Sequence, residues 1–157
     1  MLMKWTSSLL FSCMVATALV RADTDPLSGR WRLDTAKSTA NAPMPKAETQ
    51  TFEISGLEEH GTTEITGADG VVRKTEYTAG QNDGKWHPVT DTATSKPTGG
   101  SVMVVKVDDQ TTWWFSKRPT GSPYMALRVV AKDGRTFVWT SIGTDGKVTG
   151  SYLFERE

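Results

Sequence analysis

From residue 23 onward, hydrophobic and polar positions alternate in short runs, and turn-forming residues separate the runs. Side chains on a strand point alternately to its two faces, so this period of two predicts half-buried strands. The alternation places strands over 29–34, 49–55, 62–66, 71–78, 91–96, 102–107, 111–117, 124–132, 136–142 and 148–155. No window sustains the i, i+3, i+4, i+7 spacing of an amphipathic helix, and a helix of more than two turns is not expected. Residue choice agrees with the periodicity. After position 22 the chain carries 21 Thr and 11 Val against 5 Leu. Branching at Cβ restricts χ1 against a helical turn but packs well on a pleated sheet.

The punctuation between runs sets how the strands connect. Asp69-Gly70, Asp83-Gly84, Asp133-Gly134 and Asp145-Gly146 supply the positive φ that tight hairpins need, so chain neighbours should pair antiparallel. The spacings between these aspartates are 14, 50 and 12 residues, which is no fixed period and gives no support to a propeller or solenoid. The longest connection, the proline-bearing 40–46, is too short for a linker, and a single domain over 23–157 follows. The fold expected is all-β: an antiparallel up-and-down barrel of about eight to ten strands, because closure removes the exposed edges that make open sheets associate.

The first 22 residues differ in character. Lys4, an apolar stretch over 9–20 and the small-residue site Val20-Arg21-Ala22 read as a signal peptide, with Asp23 as the first mature residue. A periplasmic or secreted protein, without an integral membrane span once the leader is cleaved, is the expectation. Losing Lys4 and Arg21 leaves 16 basic against 18 acidic side chains, so a general electrostatic grip on nucleic acid is excluded. Cleavage also removes Cys13, the only cysteine. The domain must then be held by its core without a disulfide, and with His60 and His87 as its only imidazoles no structural zinc is expected.

The start of the domain, Leu27-Ser28-Gly29-Arg30-Trp31-Arg32-Leu33-Asp34, carries the Gly-x-Trp pattern that opens the first strand of lipocalins and related barrels. Lys37-Ser38, Pro43-Met44-Pro45-Lys46, Tyr77-Thr78, Asp83-Gly84-Lys85, Pro88-Val89, Val107-Asp108-Asp109, Lys132-Asp133-Gly134-Arg135 and Gly143-Thr144-Asp145-Gly146-Lys147 follow in order. Over its whole mature length the chain resembles a lipocalin-like group of exported bacterial barrel proteins. The resemblance implies a lumen holding a small apolar or amphipathic molecule, sealed at one end by Trp31. It also implies a late arginine, matched in position by Arg156, packed over that indole, with Gly29, Trp31 and Arg156 as the barrel-closing residues. The Thr-Asp-Tyr signature and the disulfides of extracellular lipocalins are absent.

Candidate binding residues come from the aromatic strands. Trp113, Trp114 and Phe115 are consecutive, so one face of that strand takes Trp113 and Phe115 and the other takes Trp114. Met125, Leu127 and Val129 share a face, as do Phe137 and Trp139, and Tyr152 shares parity with Phe154. The ligand-binding set proposed by this pattern is Trp113, Phe115, Met125, Leu127, Phe137, Trp139 and Tyr152, with Trp114 as the alternative to its neighbours. The Lys117-Arg118-Pro119 loop is a basic mouth suited to a carboxylate-bearing ligand. His87 beside a hairpin loop is the best-placed acid or base. Glu58-Glu59 and Asp108-Asp109 read as solvated turn acids. No Gly-x-Ser-x-Gly elbow, His-Glu-x-x-His or phosphate cradle occurs, so neither catalysis nor a cofactor is expected. The reading favoured is a non-enzymatic carrier of a small hydrophobic or amphipathic ligand. The alternative is an envelope interaction or inhibitor module that binds another protein through its exterior and loops.

Overall fold

The computed structural model describes residues 24–120 and 123–157, and the expected leader at 1–22 lies outside them. Ten strands follow one another: β1 (Gly29–Ala40), β2 (Ala47–Ser55), β3 (Glu58–Thr66), β4 (Val72–Gly80), β5 (His87–Asp91), β6 (Lys96–Lys106), β7 (Thr111–Lys117), β8 (Tyr124–Val130), β9 (Thr136–Ile142) and β10 (Val148–Arg156). Each pairs antiparallel with its chain neighbours, and β10 returns to β1 through Trp31↔Arg156 and Leu33↔Phe154, closing an up-and-down barrel. The all-β single-domain barrel read from the alternation is the fold observed.

One strand falls elsewhere than expected. Residues 92–95 form the turn between β5 and β6, and the strand before it is His87–Asp91. The cause is local. Asp91 Oδ1 accepts from both the backbone N–H and the hydroxyl of Thr94 at 2.9 Å, and Ser95 takes a φ of +54°. A side chain that satisfies the backbone this way turns the chain despite the β-branched threonines around it.

Because the chain runs up and down, its connections alternate between two ends. At one end lie the turns after β2, β4, β6 and β8, together with both described termini. At the other lie the connections after β1, β3, β5, β7 and β9. The first end is filled. Trp31 is fully buried, Phe137 meets its ring edge-on with centroids 5.0 Å apart, and Phe154 stacks on Phe137 at 4.6 Å. Leu27, Leu33, Phe52 and Val130 complete this plug. The indole N–H of Trp31 donates to the Leu27 carbonyl at 2.8 Å. The Arg156 guanidinium lies 4.0 Å above the same ring and donates to the carbonyls of Gly134, Ser28 and Pro26. At Gly29, φ is +134° and a Cβ would collide with the Arg156 guanidinium, so this position needs glycine twice over.

Candidate functional site

A layer of buried polar side chains borders the aromatic plug, with the Arg128 guanidinium 5.1 Å over the Phe52 ring. Glu59 of β3 and Arg128 of β8 reach across the interior in a bidentate ion pair, Nη1 to Oε1 at 2.7 Å and Nη2 to Oε2 at 3.0 Å, with both residues shielded from solvent. Tyr77 donates its phenol to Glu59 Oε1 at 2.5 Å, and Gln81 donates its amide to Oε2 at 3.0 Å. Burial alone pushes the Glu59 carboxyl up, but the Arg128 charge and the four donated hydrogen bonds outweigh it and hold Glu59 below the usual carboxylate range. Tyr77 moves the other way, raised by burial and by the neighbouring carboxylate. The phenol stands over Gly61, where a Cβ would come 2.5 Å from the ring. Glu59 is thus no solvated turn acid. Strand β3 begins at Glu58, which puts Glu58 outward and Glu59 inward.

Beyond this layer the barrel opens. A cavity of about 900 Å³ runs from Tyr77, Gln50, Trp114 and Phe154 out to the loops of the open end. Its existence follows from residue size. The filled end carries Trp31, Phe52 and Phe137, whereas the walls of the open end include Thr63, Thr75, Gly100, Ser116 and Ser141. In a barrel of ten strands, small side chains leave the interior unfilled. The aromatic wall is made by Trp114, whose ring centroid lies 4.9 Å from Trp139 and 5.6 Å from Tyr124, with Tyr152 also on the lining.

Among the described residues, Trp114 Nε1 and Gln50 Oε1 are buried without a hydrogen-bond partner, as are Gln81 Oε1 and Arg128 Nε around Glu59. Gln50 uses its amide nitrogen to donate to Glu48 Oε1 at 2.6 Å. Burial raises the Glu48 carboxyl, and the Gln50 hydrogen bond only partly opposes this. Tyr152 is raised by burial and then by the charge of Glu48. Tyr124 is raised by burial, against the lowering effect of Arg118. The Arg118 guanidinium lies 4.4 Å over the Tyr124 ring at the mouth.

Of the aromatic and apolar residues expected to bind ligand, Trp139 and Tyr152 line the cavity. Phe137 belongs to the plug beneath it. The inward placement of Trp113, Phe115, Met125 and Leu127 is corrected by strand parity. Buried Thr112 and Ser116 fix the inward face of β7, and buried Ala126, Arg128 and Val130 fix that of β8. The four residues therefore point outward, where Trp113 pairs with Leu127 and Phe115 with Met125, and Trp113 stacks on Phe115 at 6.3 Å. Trp114 is the inward ring. Lys117 and Arg118 do stand at the mouth, but the Lys117 ammonium rests 4.1 Å over the ring of Trp86. His87 does not line the cavity, and its Nε2 lies 2.9 Å from Asp83 Oδ2. Asp108 is a turn acid that accepts from the N–H groups of Gln110 and Thr111.

The residues missed at first reading are Glu48, Gln50, Glu59 and Arg128. Arg128 was detectable: a lone charge inside Ala126-Leu127-Arg128-Val129-Val130, sharing parity with Ala126 and Val130, must be paired inside or break the strand's buried face. Among the described residues no three His, Cys, Asp or Glu side chains converge to hold a metal ion. The chain matches no protein-family model and no curated protein.

Proposed function

We propose that this protein is a non-enzymatic, exported carrier that binds a small amphipathic molecule in the open half of its barrel, as its lipocalin-like pattern implies. One observation carries the reading. A cavity of about 900 Å³ with Trp114, Tyr124, Trp139 and Tyr152 on its walls and Glu48 and Gln50 among its polar lining opens at one end of the barrel. The cavity falls in the size range of small-molecule sites, and its apolar rings with a few polar groups are the usual makings of one.

Fluorescence titration with the neutral probe N-phenyl-1-naphthylamine tests the reading. The full chain should bind it in a saturable way. Thr75→Trp, which fills the lumen from β4, should abolish binding, and Trp113→Ala on the outer face should leave it unchanged. Binding that survives Thr75→Trp and is lost in Trp113→Ala would place the site on the exterior and sink the carrier reading.

A second reading rests on that exterior. The outward ladder of Trp113, Phe115, Met125 and Leu127 adjoins Val129, which is 39% exposed, and forms an apolar strip on the barrel wall. Such strips serve contact with another protein. On this reading Trp113→Ser disrupts partner capture from an envelope extract, and Thr75→Trp does not.

A further inference from the structure

We infer that the open end of the lumen selects an organic cation, an amine or ammonium group held among Trp114, Tyr124, Trp139 and Tyr152 with Glu48 as its counter-charge. This rests on the lumen being the binding site and names the chemistry of what enters it.

The rings come first. The Trp114 ring centroid lies 4.9 Å from that of Trp139 and 5.6 Å from that of Tyr124, at interplanar angles of 58° and 49°, and these three residues line one cavity together with Tyr152. The face of an aromatic ring is the negative part of its quadrupole, and several faces around one point attract a cation that has left water. The structure holds an example. The Arg118 guanidinium lies 4.4 Å over Tyr124, so one wall of the cage already carries a positive group contributed by the rim.

Glu48 supplies the second argument. It lines the same cavity, and its side-chain hydrogen-bond partner among the described residues is the neutral amide of Gln50. Glu59, the other inward carboxylate, is matched by Arg128. A carboxylate in a partly dehydrated lumen is costly to keep charged unless a cation joins it. Its negative charge is felt by the Tyr152 and Tyr124 phenols, which places it in the same neighbourhood as the rings.

Three probes of nearly equal size separate charge from shape: phenethylamine, phenethyl alcohol and phenylacetate, each titrated against the full chain by calorimetry at neutral pH. Phenethylamine should bind about tenfold tighter than the alcohol, and phenylacetate weakest of all. Glu48→Gln keeps the hydrogen bond to Gln50 and should erase the preference for the amine while leaving the alcohol's affinity within about twofold. Arg118→Ala should strengthen amine binding, because it removes a competing positive charge from the cage. Equal affinities, a preference for phenylacetate, or an amine preference that survives Glu48→Gln would overturn the cation inference while leaving the lumen as a binding site. Failure of all three probes to bind would overturn both.

Discussion

Glu59 and Arg128 show what one buried pair demands of its surroundings. Two ions taken out of water lose hydration worth several kcal/mol each, and only close pairing backed by further hydrogen bonds compensates. Here the carboxylate receives two guanidinium hydrogen bonds, a phenol and an amide. Arg128→Met leaves Glu59 buried and unpaired, and urea unfolding should show a loss of about 3–5 kcal/mol. The double variant Glu59→Leu with Arg128→Met should recover most of that loss, because it removes both charges together. The pH dependence has a definite sign. The folded-state pKa of Glu59 is lowered from 4.5, so its stabilisation is present above the unfolded value and is lost as the pH falls through the lower, folded one. Acid unfolding followed by circular dichroism should accordingly lose its steepness below about pH 4.5 in Glu59→Gln. Sequence adjacency concealed this residue. Glu58-Glu59 looks like a turn because two acids in a row are usually solvated, yet in a strand two neighbours are the pair most certain to face opposite ways.

The alternation located nine of the strands, although β1 runs six residues beyond its expected end and β6 begins six residues before its expected start, and the closure of β10 on β1 followed from the need to bury edges. What it misassigned was which face of β7 and β8 turns inward. The larger apolar groups of those strands, Trp113, Phe115, Met125 and Leu127, lie on the outer face, while the inner face alternates Thr112, Trp114, Ser116 and Tyr124, Ala126, Arg128. Counting hydrophobic bulk gives the wrong parity because this part of the interior lines a cavity, where small and polar side chains make the space, and because the apolar bulk has gone to cross-strand ladders on the wall. Such ladders contribute roughly 0.2–1 kcal/mol per pair. Trp113→Thr should therefore cost no more than about 1.5 kcal/mol in urea unfolding, and Trp114→Ala should cost about twice that, since it strips an inward ring from contact with Tyr77, Tyr124 and Trp139. The reverse order would mean that the barrel's hydrophobic support runs along its exterior.

Viewed as one body, the barrel divides its interior between stability and binding. The end holding Trp31 and Arg156 is packed around an aromatic plug; the end holding Glu48 and the aromatic wall encloses a large cavity. The inward carboxyls of Glu59 and Glu48 record the same division, because their pKa values move in opposite directions. Glu59 is lowered by Arg128, whereas Glu48 is raised by burial, lines the cavity with Tyr124, Tyr152 and Arg118, and has no ion-pair partner among the described residues. A raised folded-state pKa means that Glu48 favours folding while protonated, and that this contribution is lost as the pH rises through its folded value. At neutral pH the ionised side chain thus weighs against the fold, a cost of the kind that proteins carry at working sites. Glu48→Gln should raise the thermal midpoint at pH 7, and the gain should shrink toward zero as the pH is lowered through the range just above 4.5. Adding phenethylamine at pH 7 should raise the midpoint of the wild-type chain and leave that of Glu48→Gln nearly unmoved, since a ligand stabilises only the state it binds. A variant that is more stable yet less able to bind separates the two halves of the barrel by measurement; a Glu48→Gln chain that is less stable than wild type at pH 7 would show that this carboxylate is part of the fold's support instead.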